Sequence, residues 1–153
     1  MPGGIVVDTH TVVWYLQDDR RLSAKAGDAL DAATAAGEVI HVPSVCLVEL
    51  TYLIEKQRLP AMVRDQLVQT FDDPASPCAL APLDRRVADA LALVKRSEVP
   101  DLPDRIIAAT AVALGIPLIS RDGRSRASQV QDLVDRGSAS SRSGLNGTQS
   151  RIV

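Results

Sequence analysis

The hydrophobic positions of the chain form short apolar runs that alternate with longer stretches of helical spacing. The first run, Ile5-Val6-Val7, leads into apolar residues at helical spacing between Thr9 and Leu16. Further apolar runs lie at 39–42, 78–81 and 117–120, and further helical stretches lie at 23–36, 45–57, 60–71, 84–96 and 101–113. Short strands without polar alternation, separated by helices, are typical of a mainly parallel sheet covered on both faces. The pattern therefore predicts an α/β fold.

Residues suited to helix ends stand at the boundaries of these stretches. Ser44 and Asp84 precede helical stretches and have side chains that commonly cap helix N-termini. Gly37 and Gly115 follow helical stretches, where glycine readily adopts the left-handed conformation that ends a helix. These residues predict separate helices between the strands.

Length and composition indicate one domain followed by a polar tail. A chain of 153 residues with 46% hydrophobic residues can bury a core of ordinary size. From about Gly137 the sequence is rich in Ser, Gly, Arg, Asn and Thr, without apolar periodicity. We therefore predict a globular domain over residues 1–134 and a disordered tail over 135–153. No apolar run is long enough to span a membrane, and the start resembles no signal peptide, so we expect a cytoplasmic protein.

Charge and cysteine content exclude some classes of binding protein. A formal charge of -2 argues against a broad basic face for nucleic acid, and 3% aromatic residues supply few surfaces for base stacking. Cys46 and Cys78 lie in apolar surroundings without His or Cys at ligand spacing. Both are expected to be reduced core residues rather than parts of a disulfide or zinc site.

Acidic residues stand where parallel strands end or helices begin. Asp8 follows the first apolar run and Asp122 follows the last, and ligands of α/β sheets bind at the carboxyl ends of the strands. Glu49 interrupts a helical stretch that is otherwise apolar, and an unpaired buried carboxylate needs a cation or a proton. Asp104 falls in the first helical turn after Asp101. These acids are candidates for one shared site.

Each acid also has a purely structural interpretation. Asp8 is suited to cap a helix, and Asp101 and Asp104 are suited to cap and complement a helix dipole. Asp122 is followed by glycine, which is an ordinary turn pattern. Glu49 fits a solvated helix edge. His10, in the first helical turn, is more often structural than catalytic.

In order along the chain, four segments resemble the PIN-domain nucleases. The segments are Ile5-Val6-Val7-Asp8-Thr9-His10, Val48-Glu49-Leu50, Asp101-Leu102-Pro103-Asp104-Arg105-Ile106-Ile107-Ala108-Ala109-Thr110-Ala111, and Leu118-Ile119-Ser120-Arg121-Asp122. The likeness is greatest to the VapC-like toxins of toxin–antitoxin pairs and covers about residues 4 to 125. It implies a PIN-like three-layer α/β/α fold with a mainly parallel central sheet of four to five strands. The candidate for a fifth strand is 128–134.

The resemblance also implies a set of site residues and a cofactor. Asp8, Glu49, Asp104 and Asp122 match the acidic catalytic and metal-binding set of the family. Ser120 matches its hydroxyl position, and Asp101 matches a less strict fifth acid. Clustered carboxylates suit Mg²⁺ or Mn²⁺, which lower the pKa of bound water and neutralise charge on a phosphodiester. The expected reaction is endonucleolytic hydrolysis of RNA.

The expected partners follow from the same resemblance. They are an RNA substrate, a cognate antitoxin and a second copy of the chain in a homodimer. Arg105 and Arg121 are candidates for contacts to RNA phosphates, although ordinary solvated arginines fit as well. The helices between Ser44 and Phe71 are a candidate antitoxin groove, although their apolar residues fit a plain core equally well.

Other functions with an acid after the first strand fit less well. A haloacid-dehalogenase-type phosphatase needs a second Asp two residues after the first, where this chain has His10. A signalling receiver domain needs a late strand-end lysine, and no lysine follows Ser97. A catalytically inactive PIN-fold interaction module remains the open alternative to the enzyme.

Overall fold

The computed structural model of the protein describes residues 3–120. Arg121, Asp122, the candidate fifth strand at 128–134 and the predicted tail at 135–153 lie outside the described residues. The boundary predicted at residue 134 also stays a prediction.

Four strands form one parallel sheet in the described part of the chain. They are β1 (Gly4–Val7), β2 (Val39–Pro43), β3 (Cys78–Ala81) and β4 (Leu118–Ile119). Their order is β3-β2-β1-β4, and all three neighbouring pairs are parallel. Strands β2 and β3 thus lie on one side of β1, and β4 lies on the other side. This arrangement confirms the predicted mainly parallel sheet.

Helices flank the sheet within the same range. They are α1 (Thr9–Leu16), α2 (Ala24–Ala35), α3 (Val45–Glu55), α4 (Met62–Asp72), α5 (Arg85–Ala90) and α6 (Leu102–Leu114), with a 3₁₀ helix at Leu91–Leu93. Helices α2 and α6 both pack on β1 and β2, whereas α4 packs on β3. Between residues 3 and 120, no helix has the length and apolar character required to cross a membrane.

The core lies between the sheet and these helices. Every residue of β1 is buried, as expected for a central strand covered on both faces. Four helices each contribute one large side chain that is almost completely buried: Leu30, Leu50, Leu67 and Ile107. Burying each such side chain stabilises the fold by about 1.5–3 kcal/mol, so the helices are held by their apolar faces. Cys46 and Cys78 are free and buried, which confirms that they are core residues.

Glycine is required at the start of β1. Gly4 has φ +151°, a conformation that residues with a Cβ rarely adopt. A Cβ there would overlap the carbonyl oxygen of Val39 and press on the ring of His41. Gly4 thus permits the close approach of β1 and β2, the pairing that fixes the strand leading to Asp8.

Several predicted helix boundaries are confirmed. The side chain of Asp84 accepts a hydrogen bond from the backbone of Val87 and caps α5. Gly115 has φ +68° and ends α6 in the left-handed conformation. Gly37 likewise has positive φ after α2.

One predicted cap and one predicted boundary are wrong. Helix α3 begins directly after Ser44 as predicted, but the Ser44 side chain does not cap it. Instead, Oγ of Ser44 accepts a hydrogen bond from the backbone N–H of Leu83, a residue distant in sequence, at 3.0 Å. Helix α5 ends at Ala90 and passes into the short 3₁₀ helix instead of continuing to about Arg96.

Candidate active site

The candidate site lies where the strand order reverses. Strand β4 lies on the opposite side of β1 from β2, so the crevice outside the carboxyl ends of β1 and β4 is the topological switch point. The last pair in register is Val7 with Ile119, and the backbone of Asp8 donates to the carbonyl of Ile119 at 3.4 Å. Asp8 therefore leaves the sheet at this crevice.

Asp8 is held at the junction of β1 and α1. It is the N-cap of α1, and its Oδ1 accepts a hydrogen bond from the backbone N–H of Thr11 at 2.9 Å. The residue is only 8% exposed. The structural interpretation of Asp8 as a helix cap is thus correct, and the cap fixes its carboxylate at the end of the strand.

Glu49 reaches the same place from α3. Cys46 and Leu50 are fully buried on this helix, which leaves Glu49 half-buried at its edge. Its Oε1 accepts a hydrogen bond of 2.7 Å from the hydroxyl of Thr9, a residue 40 positions earlier in the chain. Glu49 is therefore tied to the residue that follows Asp8.

Asp101 and Asp104 come from the start of α6. Asp101 is the N-cap, and its Oδ2 accepts from the backbone N–H of Asp104 at 3.1 Å. Asp104 lies in the first turn, where the positive end of the helix dipole favours a carboxylate. Both acids have the structural role that the sequence allowed, and both face the site as well.

Together these elements enclose a cleft of about 280 Å³. It is lined by Asp8, Thr9, His10, Glu49, Asp101 and Asp104. The structure thus brings together three of the four predicted metal-binding acids and the predicted fifth acid. The remaining acid, Asp122, lies beyond the described residues.

The neighbouring acids and burial both affect the ionisation of Glu49. Burial raises the pKa of Glu49, and the charges of Asp104, Asp101 and Asp8 raise it further, while the hydrogen bond from Thr9 opposes the shift. The charged form of Glu49 is therefore disfavoured unless positive charge enters the cleft. On the same helix, burial raises the pKa of the Cys46 thiol to about 12, which keeps this thiol protonated at neutral pH.

Ser120 lies next to Asp8 across the β1–β4 pairing. It follows the last paired residue of β4, is 6% exposed, and its Oγ has no hydrogen-bond partner within residues 3–120. The hydroxyl that the sequence assigned to the site is thus at the correct edge of the sheet, although it does not line the cleft.

Arg105 is used inside the fold. Its Nε and Nη2 donate to the carbonyl oxygen of Val94 at 3.2 and 3.0 Å, and Nη2 also donates to that of Leu91 at 3.3 Å. The guanidinium therefore holds the end of the 3₁₀ helix. The contact of Arg105 with RNA stays a prediction. Arg121 lies outside the described residues.

The sequence matches the family model described as PIN domain over residues 5–131. The chain belongs to the PIN domain family. A curated relative, Ribonuclease VapC22 of Mycobacterium tuberculosis, is 25% identical over 122 residues, which cover 80% of this chain and 89% of the relative. A solved structure, of VapBC2 from Rickettsia felis bound to a DNA fragment from their promoter, aligns with TM-score 0.54 and 16% identity. That alignment covers 75% of this chain and 84% of the other.

The structural match confirms the predicted PIN-like α/β/α fold. In this PIN chain, the acidic cleft lies at the β1–β4 switch point, which is where open α/β sheets generally bind ligands.

The cleft of this PIN domain has donors suited to a hard cation, but not a closed cage. Its lining is dominated by carboxylate oxygens, with one hydroxyl and one imidazole. Within residues 3–120, no three His, Cys, Asp or Glu side chains already stand together as a metal-binding group. Mg²⁺ and Mn²⁺ keep several bound waters and need few direct protein ligands, so separated carboxylates around a cleft of this size fit them.

Two residues of the cleft were not in the predicted set. Thr9 holds Glu49, and His10 lines the cleft while its ring lies 5.6 Å from that of Trp14. In the sequence, only their place just after Asp8 indicated that they could lie in the site. The hydrogen bond of Thr9 could not be predicted, because its partner is distant in sequence.

Proposed function

We propose that this PIN-domain protein is a metal-dependent endoribonuclease and the toxin component of a toxin–antitoxin pair. The observation that carries the proposal is the cleft lined by Asp8, Glu49, Asp101 and Asp104 at the carboxyl end of β1. Membership of the PIN family and the likeness to a protein named as a VapC ribonuclease support it.

Mg²⁺ or Mn²⁺ is the proposed cofactor, held by Asp8, Glu49 and Asp104 together with Asp122. When bound, such an ion supplies an activated water and neutralises negative charge on the phosphodiester. The raised pKa of Glu49 supports this assignment, because three neighbouring carboxylates make a cation favourable there.

The protein's own contribution is to hold the carboxylates before the substrate arrives. The backbone N–H of Thr11 fixes Asp8, the hydroxyl of Thr9 fixes Glu49, and the first turn of α6 places Asp104. The N-termini of α1 and α6 both open on the cleft, and their positive ends favour negative charge there. This helps the carboxylates to stay ionised and an RNA phosphate to approach.

RNA is the proposed substrate, recognised mainly through shape and phosphate contacts. A net charge of -2 and 3% aromatic residues leave little for broad electrostatic binding or base stacking. Affinity for RNA is therefore expected to be modest and sensitive to salt. Arg121 remains a candidate phosphate contact from sequence.

The proposed antitoxin binds the surface of α3 and α4. Val48 and Tyr52 of α3 are 67% and 54% exposed, and Met62 of α4 is 58% exposed. Large exposed apolar side chains on neighbouring helices are suited to an apolar segment of a partner. The solved neighbour is itself described as a VapBC pair, which supports a partner of this kind. A homodimer is proposed as the state of the free chain.

Cleavage of RNA tests the proposed enzyme directly. The wild type, Asp8→Asn, Asp104→Asn and Glu55→Gln are induced in a host cell, and RNA 5′ ends are sequenced. Discrete new 5′-phosphate ends are expected with the wild type and with Glu55→Gln, an exposed acid of α3 that does not line the cleft. They should be absent with Asp8→Asn and Asp104→Asn. Identical end profiles for all four soluble, folded proteins would instead favour the inactive interaction module.

Partner binding needs a separate test. The chain is co-expressed with the product of the adjacent gene and purified through a tag on that product, and the free chain is measured by light scattering. Co-purification that is lost in a Val48→Asp, Tyr52→Asp variant supports the proposed surface. A free chain that stays monomeric and ignores the product would contradict both partner assignments.

A further inference from the structure

We infer that the Thr9 hydroxyl is a positioning group for the metal site, which holds Glu49 in the orientation needed to bind the cation. The inference rests on the proposed function and deepens it, because it assigns a role to a residue outside the acidic set. Thr9 contributes no carboxylate and acts through Glu49.

The geometry joins two helices at one short hydrogen bond. Thr9 is the first residue of α1 and is 3% exposed, so its side chain is enclosed by protein. Its Oγ1 donates to Oε1 of Glu49 at 2.7 Å. A β-branched side chain in a helix has few rotamers, so the buried hydroxyl has little freedom to turn away. The bond therefore restrains the Glu49 carboxylate rather than following it.

The chemistry of the two groups fixes the direction of this bond. A hydroxyl has a single proton to donate, and here that proton goes to Oε1 of Glu49. The Glu49 carboxylate is thus the acceptor, and the buried Thr9 hydroxyl is the donor that orients it.

Repulsion within the cleft explains why such a restraint is needed. Asp104, Asp101 and Asp8 line the same cleft as Glu49, so the repulsion among like charges favours orientations of Glu49 that point away from the other acids. Because Thr9 directly follows Asp8, the same backbone segment sets the position of both acids. Groups that hydrogen-bond to metal ligands generally change metal affinity or activity about 10–100-fold when removed.

The test compares three substitutions of buried threonines. Thr9→Val keeps the shape of the side chain and removes the hydroxyl, whereas Thr9→Ser keeps the hydroxyl. Thr110→Val is the matched control, because Thr110 is only 2% exposed and does not line the cleft. Its hydroxyl donates to the backbone carbonyl of Ile106 within α6.

Two readouts are measured on folded protein. Mn²⁺ affinity is determined by electron paramagnetic resonance of free Mn²⁺, and kcat and KM are determined with an RNA that the wild type cuts. Thr9→Val is expected to weaken Mn²⁺ binding about tenfold or more and to lower kcat with KM for RNA little changed. Thr9→Ser should restore most of both, and Thr110→Val should match the wild type.

Each outcome decides the inference. Wild-type Mn²⁺ affinity and kcat in Thr9→Val would overturn it, and so would a folded Thr9→Ser that is as impaired as Thr9→Val. If Asp8→Asn loses Mn²⁺ binding and cleavage while Thr9→Val does not, only this inference fails. If the wild type and Asp8→Asn are equally unable to bind Mn²⁺ and cut RNA, the proposed function fails with it.

Discussion

Removing the charge of Glu49 should stabilise the protein in the absence of divalent cations and reduce the stabilisation that these cations give. Burial and three neighbouring acids raise the pKa of this carboxyl in the folded protein. The folded state then holds the proton more tightly than the unfolded state, so the free energy of unfolding falls as pH rises through the raised pKa. In EDTA at pH 7, Glu49→Gln is therefore expected to melt at a higher temperature than the wild type, and the decline of stability above pH 4.5 should be smaller.

The magnitude of the cation effect follows from the size of the chain. A ligand at about 100 times its Kd stabilises the folded state by about 2.7 kcal/mol. With about 2.1 cal/mol/K of unfolding entropy per residue, the roughly 134 residues of the predicted domain give about 0.28 kcal/mol/K, so Tm should rise by about 10 °C. If Glu49→Gln weakens the binding of Mn²⁺ tenfold, about 1.4 kcal/mol and about 5 °C of that shift are lost.

Thermal melts followed by circular dichroism measure both effects, with EDTA or Mn²⁺ at pH 5 and pH 7. Glu55→Gln is the control, because it removes the same charge from the same helix at a position that does not line the cleft. It should keep the full Mn²⁺ shift. The reasoning is refuted if the wild type shows no Mn²⁺ shift, or if Glu49→Gln shows the wild-type shift and the wild-type Tm in EDTA.

Three further substitutions or probes test other parts of the structure. Thr11→Val should raise the free energy of unfolding in urea by about 1 kcal/mol, because its buried hydroxyl has no partner within residues 3–120; a clear loss of stability would contradict this. Arg105→Ala should lower the free energy of unfolding by about 2 kcal/mol, because it removes the bonds to the carbonyls of Val94 and Leu91. Arg105→Lys should be equally unstable, because a lysine cannot form these forked bonds. Wild-type stability in Arg105→Lys would refute the argument. Binding of RNA to the inactive Asp8→Asn variant should change the fluorescence of Trp14, the single tryptophan, because the ring of His10 contacts Trp14 and His10 lines the cleft. Unchanged fluorescence with saturating RNA would mean that RNA binds outside the cleft.

The fold was predictable because strand and helix patterns are strong in this chain. The apolar run at 78–81 matches β3, and the run at 39–42 matches β2 except for its last residue. The helical stretch at 101–113 matches α6 within one residue at each end. Consecutive apolar residues in a buried parallel strand and apolar spacing in a helix both follow from burial on known faces. Such local patterns determine where elements lie.

Contacts between distant segments could not be predicted from the sequence pattern. Ser44 has the residue type of a helix cap, but it binds the backbone of Leu83, which is 39 residues away. Arg105 was a candidate RNA contact because of its charge, and its guanidinium also binds carbonyls at the end of the 3₁₀ helix. Residue type does not reveal such partners.

The position of the acids in the site could be predicted from the sequence, whereas the role of Thr9 could not. Parallel strands end at one edge of a sheet, and helices begin there, so an acid at a strand end or a helix start has a known location. Asp8, Asp101 and Asp104 satisfy this rule, and Glu49 was conspicuous in an apolar helix. A threonine after an acid carries no such information, because its role depends on the 2.7 Å bond to a residue in another helix.

Asp8 can cap α1 and bind a metal ion at the same time, so the two interpretations of this residue are compatible. The cap bond from the backbone of Thr11 goes to Oδ1, and a carboxylate has about four acceptor sites, so one such bond does not exhaust it. The same bond holds the carboxylate at the end of β1, at the mouth of the cleft. Asp101 repeats the arrangement at the start of α6, where it caps the helix and lines the cleft. Because the start of each helix carries both an acid and a positive dipole end, forming α1 and α6 already assembles most of the acidic site. A substitution that weakens either cap should thus lower both stability and metal affinity. Glu49→Gln should instead lower metal affinity while raising stability in EDTA.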